Sequence, residues 1–122
     1  MRPLLWNVWL VLVLLPLGAM AATGAYSPVR VDDANVIAAA KFAVKAQSEI
    51  VQKTNESGSA HLELVKISRA RQQIVSGVNY ELYLRVLLNG KEKEVKVIVW
   101  WQAWRKPDPY RLSSWEEVKS ED

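Results

Sequence analysis

The residues able to do acid–base or nucleophilic chemistry are few, and their spacing does not suit it. The 122-residue sequence holds one histidine, His61, and no cysteine. Without cysteine there is no thiolate nucleophile, no Cys-ligated zinc, no redox pair and no disulfide. His61 follows a Gly/Ser turn and opens an extended run, where a surface imidazole is expected rather than a general base. Asp32 and Asp33 are adjacent carboxylates, but they stand just ahead of a helical pattern, where acidic residues cap free amides. Glu116 and Glu117 are adjacent in an extended run, so they point to opposite faces and do not readily share one site. No P-loop, dinucleotide fingerprint or G-x-S-x-G elbow is present. Neither an enzyme, a metal site nor a cofactor is expected.

Three other segments stand out. Gly24 and Tyr26 lie in a flexible start, Gln73–Gly77 reads QIVSG, and Trp100, Trp101 and Trp104 crowd a single connection. None carries a reactive group, so a binding role must come from shape. What that shape is depends on the elements that hold them.

The start of the chain is read as lying outside the fold. Arg2, the apolar run Val8–Leu15 and Ala19-Met20-Ala21 fit a secretory signal peptide with its cleavage site. Asn7, Pro16 and Gly18 interrupt the apolar run, and a membrane anchor needs about 20 apolar residues. Residues 1–21 are thus expected to be removed, leaving Ala22–Asp122 as one domain with no membrane attachment. The formal charge is +3, but the charges alternate in sign and form no basic block, so no nucleic-acid partner is expected.

Thr23–Val31 reads as a short extended edge segment, with Pro28 removing one amide donor. After the Asp32-Asp33 cap, Val36, Ala40, Ala43, Val44, Gln47 and Val51 recur near the helical period, predicting a helix from Ala34 to about Gln52. Thr54–Ser59 is a turn cluster. His61–Ala70 reads as a strand. Val78, Tyr80, Leu82, Leu84, Val86 and Leu88 then alternate with the mostly polar Asn79, Glu81, Tyr83, Arg85 and Leu87, giving one buried and one wet face. Asn89-Gly90 is a two-residue hairpin signal. Glu92–Trp101 carries Val95, Val97, Val99 and Trp101 on one face, and Tyr110–Val118 forms a last strand. The fold class is α+β: one long helix packed on a curved antiparallel sheet of four to five strands. Counting reversals puts the chain start, the QIVSG bend and the Trp104 bend at one end of the sheet. The Asn89-Gly90 turn falls at the other. The first end has the shape of a wedge for a partner's groove.

The residues of that wedge resemble a known family. Gln73-Ile74-Val75-Ser76-Gly77 fits the Q-x-V-x-G motif of the cystatins, inhibitors of papain-like cysteine proteases. Gly24-Ala25-Tyr26-Ser27-Pro28-Val29 resembles the G-G-W-S-P-I-like start of plant cystatins. Ala39-Ala40-Lys41-Phe42-Ala43-Val44 resembles their helix signature, L-A-R-F-A-V, and Ala103-Trp104 stands where the family has Pro-Trp. Ala25, Ala39 and Ala103 depart from that pattern.

The resemblance implies a reversible, competitive inhibitor of papain-like cysteine proteases, acting as a monomer. Gly24, Gln73, Ile74, Val75, Ser76, Gly77, Ala103 and Trp104 would meet the enzyme. Gly24 would run along the non-primed subsites, Ile74–Ser76 over the catalytic pair, and Trp104 on the primed side. Gln73 and Gly77 would matter more for the shape of the hairpin. The residues alone leave other readings open: Gly24 as a linker, Trp104 as a rim over the core, and Tyr26 as an enzyme contact or a cap on the sheet edge. A cystatin-fold binding module without inhibition is the alternative function. A cone-shaped enzyme with an internal pocket would need polar residues pointing inward, and the alternation points aliphatic ones there.

Overall fold

A computed structural model describes residues 25–54 and 60–119. The proposed signal peptide, Gly24, the turn cluster at 55–59 and the tail at 120–122 lie outside these residues. The element order is β1 (Ser27–Pro28), α1 (Ala34–Thr54), β2 (Leu62–Val75), β3 (Gly77–Leu88), β4 (Lys91–Trp101) and β5 (Tyr110–Glu117). The strands form one antiparallel sheet in the order β1-β2-β3-β4-β5, the expected α+β arrangement.

Helix α1 starts at Asp33 because that carboxylate accepts the free amides of Asn35 (2.8 Å) and Val36 (3.3 Å). Asp32 takes no part in the cap and instead pairs with Arg30 at 2.8 Å. The helix runs two residues beyond Gln52, to Thr54, whose hydroxyl lies 3.1 Å from the Ile50 carbonyl oxygen and satisfies a terminal acceptor. Its buried face is Val36, Ala39, Ala40, Ala43 and Val44. The three alanines are fully buried, and side chains this small let the sheet lie close against the helix axis. Gln47 and Val51, assigned to the same stripe, are only half-buried, because they line an open cavity that they share with Leu62, Leu88 and Trp115 of the sheet.

The other half of the core comes from alternation. Tyr80, Leu82, Leu84 and Val86 on β3 and Val95, Val97 and Val99 on β4 are buried against α1. Burying each such aliphatic side chain contributes on the order of 1.5–3 kcal/mol. Phe42 stacks on Tyr110 at 5.5 Å and ties the helix to β5.

Strand β2 differs from the expected reading in length and in period. It does not stop at Ala70 but continues to Val75. Its pairing with β3 shifts between Leu64 and Lys66 and again between Ile67 and Arg69. The core-packed residues are therefore Leu62, Leu64, Ile67 and Ala70, with steps of three after Leu64. Extra residues of this kind bend a strand and increase its twist, which wraps the sheet around α1.

The two ends of the sheet are as the reversals require. At one end Asn89 (φ 54°) and Gly90 (φ 84°) form the β3–β4 turn, both in the left-handed region that a tight two-residue hairpin needs. Asn89 also exchanges backbone and side-chain hydrogen bonds with His61 at 2.8 Å. His61 thus sits far from the wedge, its ring 2.7 Å from the Glu63 carboxylate on the exposed surface. Among the described residues no helix is long and apolar enough to cross a membrane.

Candidate functional site

At the opposite end, Val75 pairs with Gly77, leaving Ser76 alone at the tip. QIVSG is therefore less a loop than the last rungs of a β-ladder. Below the tip, the Asn79 Nδ2 donates to Gln73 Oε1 at 2.9 Å, a cross-strand bond that closes the neck of the hairpin. Above it, Ile74 is 61% exposed and Val75 39% exposed. Large apolar side chains left exposed at a tight tip are unusual for a solvated turn.

Gly77 is the residue that allows so sharp a return. Its φ is +88°, in the region that L side chains rarely adopt. A Cβ there would also run into the backbone carbonyl oxygen of Trp101. Glycine is required on both counts, conformational and steric.

The second connection, residues 102–109, is pinned at its base by the Gln102 amide donating to the Pro109 oxygen at 2.7 Å. Ala103 and Trp104 are exposed beyond it, Trp104 by 59%. Trp101 packs on the core, as one of the adjacent pair had to. Trp100 faces the other way and joins the two hairpins. Its Nε1 donates to the Ser76 carbonyl at 2.7 Å, and its ring meets Trp104 edge-on at 6.2 Å and 76°. Sequence reading assigned Trp100 no role. Its parity opposite Trp101 was visible, but its partner lies 24 residues away, across two strands.

The N-terminal segment reaches the same end, because Ser27 pairs with Gln72 and Pro28 with Arg71. Tyr26 rests on the Arg71 guanidinium, 5.2 Å from its carbon, so the described residues give it a role at the sheet edge. Burial first, and the Glu81 charge second, push the Tyr26 phenol above its ordinary pKa. Of the expected site residues, the structure brings Gln73–Gly77, Ala103 and Trp104 together; Gly24 lies outside the described residues.

The tips of the two hairpins present the apolar Ile74, Val75 and Trp104, with the exposed charges of Arg105 and Lys106 beside Trp104. No group of three or more His, Asp or Glu able to hold a metal occurs among the described residues.

Comparison with known proteins agrees with this architecture. Residues 29–118 match a family model described as SQAPI, aspartic acid proteinase inhibitor. The chain is 32% identical over 120 residues to L-cystatin of Tachypleus tridentatus, covering 81% of this chain and 86% of that protein. It is 39% identical over 103 residues to cysteine proteinase inhibitor 5 of Arabidopsis thaliana, covering 80% and 77%. Dimeric human cystatin F superimposes with a TM-score of 0.60 at 17% identity over 79% of this chain and 87% of that one, a likeness of fold. With sequence similarity across most of its length and this helix-on-sheet fold, the chain belongs to the cystatin family.

Proposed function

We propose that this protein is a reversible, competitive inhibitor of papain-like cysteine proteases, occluding the catalytic cleft without reacting in it. Its relatives are named cystatins and cysteine proteinase inhibitors, and the chain is an inhibitor rather than an enzyme. The observation that carries the mode of action is the paired apolar tip. Ile74, Val75 and Trp104 are exposed at one end of the sheet and braced by Trp100. A rigid edge loses little conformational freedom on docking. Because Ser76 is the whole turn, the tip is narrow enough for a cleft. Gly24, Gln73, Gly77 and Ala103 complete the contact surface in this reading. Ala103 takes the place of a proline, so the second hairpin relies on the Gln102–Pro109 bond for its shape.

Residues 1–21 act as a signal peptide in this reading, and Ala22–Asp122 is the exported, monomeric inhibitor. A second reading comes from the family model, whose description names aspartic proteinases as the target. One titration separates the two. The chain is assayed against an active-site-quantified papain-like protease and against a pepsin-like protease. Stoichiometric inhibition of the first, relieved on dilution, is the expected outcome. Inhibition of the second alone would transfer the function to aspartic proteases. Inhibition of neither, with a folded spectrum, would leave a binding module. Trp104→Ala should raise the inhibition constant by roughly 10- to 100-fold, the range of a truncated aromatic anchor. The ring is 59% exposed, so the unfolding midpoint should move little, by no more than the edge-on contact with Trp100 contributes.

A further inference from the structure

The sheet face turned away from α1 buries a carboxylate. Glu81 sits in the middle of β3 beside Tyr83 and Arg85 in the outward register, yet it is 4% exposed. A lone carboxylate there would be strongly disfavoured. Arg71, directly opposite on β2, donates Nε to Glu81 Oε1 at 2.7 Å. Lys96 on β4 places Nζ 3.7 Å from the other oxygen. The Arg71 guanidinium has a second occupant, the Tyr26 ring, at 5.2 Å. Tyr26, Arg71, Glu81 and Lys96 thus form a row running across the strands from the N-terminal segment to β4.

The backbone holds that segment weakly. β1 has two residues at the sheet edge, and one of them, Pro28, has no amide to donate. The Val29 amide donates to the Ala70 oxygen at 3.1 Å just beyond it. An edge so short frays unless side chains tie it down. Glu81 fixes the plane of the guanidinium, and that plane holds the tyrosine ring.

We propose that Glu81, acting through Arg71 and the Tyr26 ring, is a positioning residue that sets the direction in which the N-terminal segment leaves the sheet and thereby how slowly the inhibitor leaves its protease. This rests on the inhibitory reading above. A chain start anchored at Tyr26 has less freedom to lose on docking, and releasing that anchor speeds dissociation.

The test uses the exported chain Ala22–Asp122 and its Glu81→Gln, Tyr26→Ala and Tyr26→Phe variants, with the Glu81→Gln/Tyr26→Ala double variant. Hydrogen exchange at the Val29 amide, followed by NMR, reads the clasp with no protease present. Glu81→Gln and Tyr26→Ala should each speed that exchange by about tenfold, with the helix amides unchanged. Tyr26→Phe keeps the ring and should stay within about twofold. Against a papain-like protease, the two disruptive variants should each dissociate about tenfold faster, and the double variant no faster than either. Unchanged Val29 exchange in Glu81→Gln would overturn the clasp, as would additive effects in the double variant. Should Glu81→Gln fail to fold, Arg71→Lys, which keeps the charge but loses the planar guanidinium between Glu81 and the ring, takes its place, and unchanged Val29 exchange in that variant counts against the clasp. A parent chain that inhibits no cysteine protease would sink the functional reading and the dissociation claim with it. Val29 exchange would still judge the clasp.

Discussion

Gly77 concentrates the requirements of the wedge in one residue. Its positive φ and the Trp101 carbonyl beside it exclude a β-carbon for independent reasons. Gly77→Ala should therefore destabilise the fold by about 1–3 kcal/mol, the usual range for a side chain forced into such a conformation. It should also weaken inhibition, because the tip must splay to relieve the contact. Urea unfolding checks the first effect and the inhibition constant the second. Unchanged inhibition with lowered stability would mean that the shape of the tip is not what the protease reads. The glycine itself was legible in the QIVSG motif. Its steric reason was not, because Trp101 belongs to a strand that follows the Asn89-Gly90 reversal. Trp100 poses the same difficulty, since its bond to Ser76 exists only once β3 and β4 are paired.

At the scale of elements, the helix face and the sheet strands had to be matched in size. Ala39, Ala40 and Ala43 are fully buried, and across from them lie Leu82, Leu84 and the β4 valines. Small residues on the helix accommodate large ones on the sheet, so an enlarged helix residue has nowhere to go. Ala43→Leu should cost about 1–3 kcal/mol by overpacking, seen as a lower urea midpoint with unchanged helicity. A neutral outcome would mean that the sheet can move outward without loss. The period-2 pattern was readable on β3 and β4, where pairing is regular. On β2 it was readable only in part, because the two register shifts place Ile67 and Ala70 inward out of phase with Leu62 and Leu64.

The row from Tyr26 to Lys96 spans the molecule from the N-terminal segment to β4, and it has a pH signature. The Arg71 hydrogen bond, with the charges of Arg71, Lys96 and Arg69, holds the Glu81 carboxyl below its ordinary 4.5 against the opposing effect of burial. Tyr26 completes the groups around it. A carboxylate with a lower pKa in the folded than in the unfolded chain contributes stability that is present above 4.5. That contribution is lost as pH falls through the lower folded value. Asp32 shifts in the same direction, but its pair with Arg30 lies in open solvent and contributes little. The urea midpoint should thus fall as the pH is taken below 4.5, and Glu81→Gln should flatten that fall. An identical acid slope in both proteins would mean that other carboxylates govern acid unfolding.

The sequence by itself determined the fold class, the helix start at Ala34, the Asn89-Gly90 turn and the inward faces of β3 and β4. Each is set by neighbours within a few residues, through capping, turn geometry or alternation. It also placed QIVSG and the Ala103-Trp104 bend at one end, because antiparallel reversals can be counted. Only the tertiary structure decided that Trp100 braces the two hairpins and that Gly77 is packed against Trp101. It likewise buried Glu81 on a face that alternation marks as wet. Glu81, Arg71, Tyr26 and Lys96 come from four separate segments, and none is charged or aromatic in a pattern that names the others. Local rules act along the chain, whereas a buried carboxylate is tolerated only where folding has already delivered its counter-charges.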